Sequence, residues 1–248
     1  MLELFCGTAG VSAALKQHGI DAVPIDKIIS KSPKAMIVKL DLTQYSTQQL
    51  VPDWIRMPQV VGIFLAPPCG TASKARTIVL EGETNLPQPL RTPEQPDGVD
   101  DLSGADFERV QQSNILYDFS AECCDLCVEL NKFFACENPK DSLYWDTTSW
   151  QERKYKHLDL EQIHQACAYG SERPKWTKLS ANFPEILDIN KVCPGNHFHR
   201  PWGVQRHNGK RIFATALEVH YPVQLCQAIS NAFLQALQRK NVFPMQMP

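Results

Sequence analysis

At 248 residues, with 43% apolar and 21% charged residues, the chain is long enough for one large domain, or one domain carrying a small insertion, and has an ordinary globular composition. A formal net charge of −2 excludes a uniformly basic nucleic-acid binder but leaves room for a local basic patch. No apolar run approaches membrane-spanning length, and the nine cysteines form no paired CxxC ladder and follow no signal peptide, so free thiols in a reducing, intracellular compartment are expected.

In chain order, Leu2–Phe5 reads as a strand that breaks at Cys6-Gly7-Thr8-Ala9-Gly10. A helix follows, with Val11, Ala14 and Leu15 on one face, and ends at Gly19. Strand, glycine turn and helix bring backbone N–H groups and a helix N-terminus up to a ligand. A second strand, Ala22–Ile25, ends in Asp26, and a third, Val38–Leu42, carries Asp41 in the same manner. Acids at successive strand ends suit the ribose and base of an adenosine-type ligand. Beginning inside a strand, the chain also reads as one piece of a longer polypeptide, with a further domain fused to it or acting beside it.

The apolar run Val60–Ala66 reads as a buried strand of a parallel sheet, stopped by Pro67 and Pro68 and followed at once by Cys69. Gly70, Thr71, Ala72 and Ser73 leave open space around the thiol, which stands where an open α/β sheet binds ligands. The alternative for Cys69 is a small apolar filler. The proline-rich stretch from Thr77 to Gly104 suits a lid over substrate or a plain surface excursion, with Arg76 and Arg91 as its cations. Ser103 is the expected N-cap of a helix running to about Leu130, with Asp106 at its third position and Cys123, Cys124 and Cys127 in or beside its core face. A second apolar strand, Phe133–Cys136, ends in Glu137-Asn138-Pro139, and a short helix begins at Ser142. If the two apolar strands are neighbours, Cys69 and Glu137 face one crevice.

Together these residues resemble the DNA (cytosine-5) methyltransferases, and the match covers Met1 to about Trp145 and about Ala214 to the end. Leu4-Phe5-Cys6-Gly7-Thr8-Ala9-Gly10 is similar to the family's first motif, whose turn holds S-adenosylmethionine, so Phe5, Gly7 and Gly10 are implied as cofactor contacts. Asp26 and Asp41 stand where the family's acids contact ribose and adenine, with Pro67 also on the cofactor side. Pro67-Pro68-Cys69 matches the Pro-Pro-Cys that carries the nucleophile, and Glu137-Asn138 matches the Glu-Asn whose glutamate binds the cytosine edge. By these two motifs Pro68 and Asn138 fall on the substrate side, and Ser73 and the cation Arg76, close after the cysteine, are further substrate-side candidates. Ile229-Ser230-Asn231-Ala232-Phe233 is similar to the final helix motif, which puts Asn231 with the cofactor.

The family's glutamine after the cysteine is Gly70 here, its valine after Glu-Asn is Pro139, and no Gln-x-Arg-x-Arg motif is present to supply an arginine to the base. What the resemblance implies is a Rossmann-like α/β fold and methylation of cytosine carbon 5 in DNA with S-adenosylmethionine as donor. A cysteine thiolate adding at carbon 6 makes carbon 5 enamine-like, and the target base is flipped out of a duplex to reach it. RNA as substrate, or a nucleic-acid-binding module that has lost turnover, are the alternatives.

The stretch Gln151–Phe213 holds eleven Lys/Arg against six acids, a net of +5, interleaved with Trp176, Phe198 and Trp202. It reads as a small basic lobe over residues 151–211, either a phosphate-tracking surface or a solvated charged face, between catalytic segments 1–150 and 212–248. Cys193-x-x-x-His197-x-His199 offers zinc-type ligands with Cys167 as a fourth, but the spacing matches none of the common patterns, so no metal is assigned. Ile212–Thr215 reads as a strand returning to the core, and Val223 to about Gln238 as a helix with the apolar stripe Leu225, Ile229, Ala232, Phe233 and Leu237. The tail Asn241–Pro248 is expected to fray.

Overall fold

The computed structural model describes residues 1–77, 88–207, 210–218 and 220–241. Its centre is a seven-stranded sheet built from β1 (Leu2–Leu4), β2 (Val23–Asp26), β3 (Val38–Lys39), β4 (Gly62–Leu65), β5 (Phe133–Pro139), β6 (Leu160–Gln165) and β7 (Trp176–Ala181), in the order β3-β2-β1-β4-β5-β7-β6. All neighbours from β3 through β5 are parallel, and β7 alone runs against the rest, pairing antiparallel with both β5 and β6. This is a Rossmann-like sheet with one reversed strand near its edge.

Strands covered on both faces must be apolar at consecutive positions, and β4 and β5 are. Phe64 and Ala135 point into one core with α1 (Gly10–Gln17) and α5 (Val223–Arg239), through Val11, Leu15, Ile229 and Phe233. Ile63, Leu65, Phe134 and Cys136 point into the other, against α2 (Tyr45–Arg56) and α3 (Gly104–Glu129), through Val51, Ile55, Tyr117 and Cys124. Helices thus sandwich the sheet. Cys123, Cys124 and Cys127 are fully buried in this second core, as their helical spacing predicts. Ser103 does stand at the N-cap of α3, but its side chain makes no capping bond, and Asp106 pairs with Arg109 instead.

Two expectations change. Residues 151–211 do not stand apart as one lobe, because β6 and β7 complete the main sheet and bury Leu179 and Ala181 in its core. Only the segment after Ala181 leaves the sheet. Ile212–Thr215 does not join the main sheet either: β9 (Lys210–Phe213) pairs with β8 (Val204–His207) in a separate two-stranded hairpin, although Ala214 just beyond it is buried. The first ten residues of the proposed lid after Thr77, and the tail beyond Asn241, lie outside the described residues. Among those described, no helix is long and apolar enough to cross a membrane.

Candidate active site

The strand order reverses between β1 and β4, and a crevice opens there at the carboxyl ends of the parallel strands. Phe5, Asp26, Lys27, Leu40, Asp41, Thr43, Ala66 and Pro68 line an open cleft of about 570 Å³, open solvent included. On its β1 side the backbone turns left-handed at alternate residues, with φ of 58° at Phe5, 54° at Gly7 and 58° at Ala9. Two of these carry side chains, so the turn stores strain of a kind concentrated at ligand sites. The space where a Gly7 Cβ would sit is open, whereas a Cβ on Gly10 would come within 2.8 Å of Cys226 Sγ. Gly7 therefore leaves room beside the cleft, and Gly10 serves the close packing of α1 on α5.

Asp26 braces this turn, accepting from Gly7 N–H at 2.9 Å and from Ile28 N–H at 3.1 Å. Asp41 pairs with Lys27 at 2.9 Å and accepts from Thr43. Burial raises its pKa, but the bonds from Lys27 and Thr43 outweigh that and leave it below the ordinary value, hence ionised. Glu3, which the sequence reading passed over, is buried beneath the turn and accepts from Ser12 N–H at 2.7 Å, at the start of α1. Burial pushes its pKa up to about 7 against that hydrogen bond. An acid inside a strand of apolar residues was the available signal. Asn231 does not reach the cleft: it is exposed on α5, whose buried face runs through Ile229, Ser230, Ala232 and Phe233.

Cys69 follows β4 and Glu137 lies near the end of β5, and the two strands are parallel neighbours with Leu65 opposite Cys136. The cysteine turn is fastened on every side. Tyr117 Oη donates to the Pro68 carbonyl at 2.7 Å and Asn138 Nδ2 to the Pro67 carbonyl at 2.9 Å. Arg76 holds the Gly70 carbonyl at 2.8 Å, and Arg91, 2% exposed, holds Thr71 Oγ1 at 3.2 Å and stacks over Tyr117. Ser73 accepts from Ala75 N–H as the cap of a short 3-10 turn over residues 74–76. Asn138, Ser73 and Arg76, expected on the substrate side, thus act on the turn itself in this structure. The described part of the proposed lid is anchored by Arg91 rather than loose.

Around Glu137, Tyr221 Oη donates to Oε2 at 2.6 Å and Lys175 Nζ lies 3.7 Å from Oε1. Oε1 is buried and has no hydrogen bond, an acceptor with its full capacity unspent. Burial raises the Cys69 thiol above its ordinary pKa, the Lys175 charge opposes this, and the Glu137 charge adds to it. Lys175 itself loses by burial but is raised on balance by Glu137, so it stays cationic. His164 lies on β6 opposite Thr177 of β7, its ring against Tyr169 and both nitrogens without hydrogen bonds, and burial followed by Lys175 pushes its pKa down to about 4. Lys175 and Tyr221 escaped sequence reasoning because nothing local ties them to Glu137.

A mostly parallel seven-stranded sheet with a single reversed strand, flanked by helices and opening its cleft at the switch point, is the Rossmann-like methyltransferase architecture. No family model matches the chain, and no curated protein does. Among solved structures it is similar to a mutant of Spodoptera frugiperda DNMT2, with a TM-score of 0.41 and 16% identity over 81% of this chain and 56% of that one. It is also similar to the S. pombe Dnmt2 methyltransferase, with a TM-score of 0.39 and 14% identity over 74% of this chain and 50% of that one. The chain spans about half the length of these two structures.

Proposed function

We propose that the protein is an S-adenosylmethionine-dependent methyltransferase acting on carbon 5 of cytosine in DNA, with Cys69 as nucleophile and Glu137 as the acid that holds the base. The observation that carries the reading is the placement of a half-buried thiol and a buried carboxylate at the ends of neighbouring parallel strands, the carboxylate keeping one oxygen without a hydrogen bond and beside Lys175. The left-handed turn at Phe5, Gly7 and Ala9, the open space at Gly7 and the acids Asp26 and Asp41 fit a cofactor with a ribose, a base and a charged amino-acid end. When bound there, S-adenosylmethionine supplies an electrophilic methyl group. Phe5 and Pro68 would flank it, and Asp26 and Asp41 would meet its polar hydroxyl and amine groups.

On the substrate side, Cys69 adds at carbon 6 as the thiolate, the C5=C6 π pair moves into the ring to make carbon 5 nucleophilic, and after methylation a base takes the carbon-5 proton as the thiolate leaves carbon 6. Glu137 Oε1 accepts from the exocyclic amine and Lys175, 3.7 Å away, supplies the positive charge that the absent Gln-x-Arg-x-Arg motif would otherwise bring. Tyr221 and Asn138 are positioning residues, the first for the carboxylate and the second for the cysteine turn.

The test is transfer of labelled methyl from S-adenosylmethionine to DNA and, separately, to RNA, wild type beside Cys69→Ala, with the modified nucleoside identified. 5-Methylcytosine in DNA from the wild type, falling roughly 10³-fold or more in Cys69→Ala with cofactor binding kept, is the expected outcome. Modification of RNA alone would overturn the DNA assignment. Cofactor binding without transfer to either would point to a binding module.

A further inference from the structure

Most of the nine cysteines sit in apolar cores, but Cys167 and Cys193 face histidines. Cys167 lies on the 3-10 turn over residues 166–169 that follows β6. The loop beyond Lys191 brings Cys193, His197 and His199 to it, so that one ligand atom from each of the four residues lies within 4.8 Å of the others. Cys193 Sγ stands 3.4 Å from Nε2 of His199 and 3.8 Å from Nε2 of His197. Tetrahedral zinc, with Zn–S near 2.3 Å and Zn–N near 2.0 Å, sets sulfur and nitrogen ligands about 3.6 Å apart. Both edges match that spacing. The two imidazoles cross at 85°, with centroids 4.5 Å apart, rather than stacking.

The surrounding backbone is shaped for the same end. Gly195 takes a φ of 74° in the Cys193-Pro194-Gly195 turn and donates its N–H to Cys193 Sγ at 3.3 Å, which fixes where the sulfur points. Cys193 N–H donates to Gln165 Oε1 at 2.8 Å, and Gln165 N–H to the Lys191 carbonyl at 3.0 Å, which sets the loop in register with the end of β6. Hydrophobic burial does not hold this loop in place. Val192 is 55% exposed and Phe198 83%. A loop without a core, carrying three ligand side chains aimed at a fourth on the turn after β6, is held by those few backbone bonds and by what the side chains bind.

We propose that Cys167, Cys193, His197 and His199 hold one Zn²⁺. Four protein ligands fill the tetrahedron and leave no open position, so the ion is structural rather than catalytic. It ties the 191–200 loop to the end of β6, and Ala166 N–H donates to the Lys175 carbonyl at 2.9 Å, so the clamp borders the residue that faces Glu137. The unusual spacing follows from the fold: the first ligand is fixed by the sheet, and the other three come from one later loop.

The decisive measurement is the metal content of the full chain, purified without a chelating tag and under a non-thiol reductant. One zinc per chain is expected, falling to near zero in Cys193→Ser/His199→Ala. Because that variant can fail to fold, wild-type protein exchanged with cobalt gives an independent reading. Intense visible d–d bands with thiolate-to-cobalt charge transfer support the site. Zinc-free wild type, a weak six-coordinate cobalt spectrum without a thiolate band, or a Cys167–Cys193 disulfide recovered from protein kept reduced would each overturn it.

Discussion

The two ends of the sheet place polar groups at strand termini by different means. At β1 and β2 the work is done by backbone: a left-handed turn offers N–H groups, one of which Asp26 takes up, and the acids stay near solvent. At β5, β6 and β7 it is done by buried charge. Arg153, 1% exposed, binds Asp125 of α3 at 3.0 Å and Asp159 at 2.8 Å, while Arg173, equally buried, binds Glu218 at 2.7 Å. Lys175 and Glu137 continue this ionic framework into the crevice. A backbone turn tolerates changes of side chain. A framework of paired side chains can change residue by residue with the substrate.

Breaking the charged side should cost the most. Arg153 stacks over Trp150 at 4.6 Å and Phe134 at 4.9 Å and joins α3 to the start of β6 through Asp159, which also accepts from Ser180 of β7. Arg153→Met keeps the apolar stem but takes from Asp159, 1% exposed, its cation at 2.8 Å and leaves only the longer pair with Lys156 at 3.8 Å among the described residues. Removing one member of a buried pair costs about 3–5 kcal/mol. Urea unfolding at neutral pH should show that loss, and a change under 1 kcal/mol would mean the pair is solvated and the contrast false.

The backbone-built side has one buried carboxylate, and it behaves in the opposite sense. Glu3 has its pKa raised from 4.5 to about 7, so between those values the folded chain holds a proton that the unfolded chain releases. Stability attributable to Glu3 is therefore full below pH 4.5 and falls as pH rises through about 7, by up to roughly 3 kcal/mol. Glu3→Gln keeps an acceptor for Ser12 N–H and removes the titration. Variant and wild type should be close at pH 5, with the variant the more stable at pH 8. The same difference at both pH values would refute a protonated Glu3.

What could be read from the sequence divides along the same line. β4 and β5 are covered on both faces, so they appear as continuous apolar runs, and their ends carried Cys69 and Glu137 with them. β6 and β7 were missed because they lie at the polar edge, where Leu-Glu-Gln-Ile-His-Gln and Trp-Thr-Lys-Leu-Ser-Ala read as a basic surface before they read as strands. α2 was missed because Pro52 sits inside it. Asn231, set beside the cofactor by a motif position, lies on the exposed face of α5, a helical phase that the motif alone does not give. The zinc ligands were visible as residue types, but their convergence depends on β6 ending beside the later loop.

The smallest effect falls where the two halves meet. Burial raises the Cys69 thiol and Lys175 pulls it back, so Lys175→Gln should move the thiol further up. At a fixed pH between 7 and 9, alkylation of Cys69 by iodoacetamide, followed by peptide mass spectrometry, should slow roughly tenfold per unit of that shift. Lys175→Arg should restore the rate, since it returns the charge. A packing role alone would leave the pH profile in place and show no rescue. If the glutamine variant alkylates as fast as wild type, the charge of the antiparallel edge does not reach Cys69, and Lys175 serves Glu137 alone.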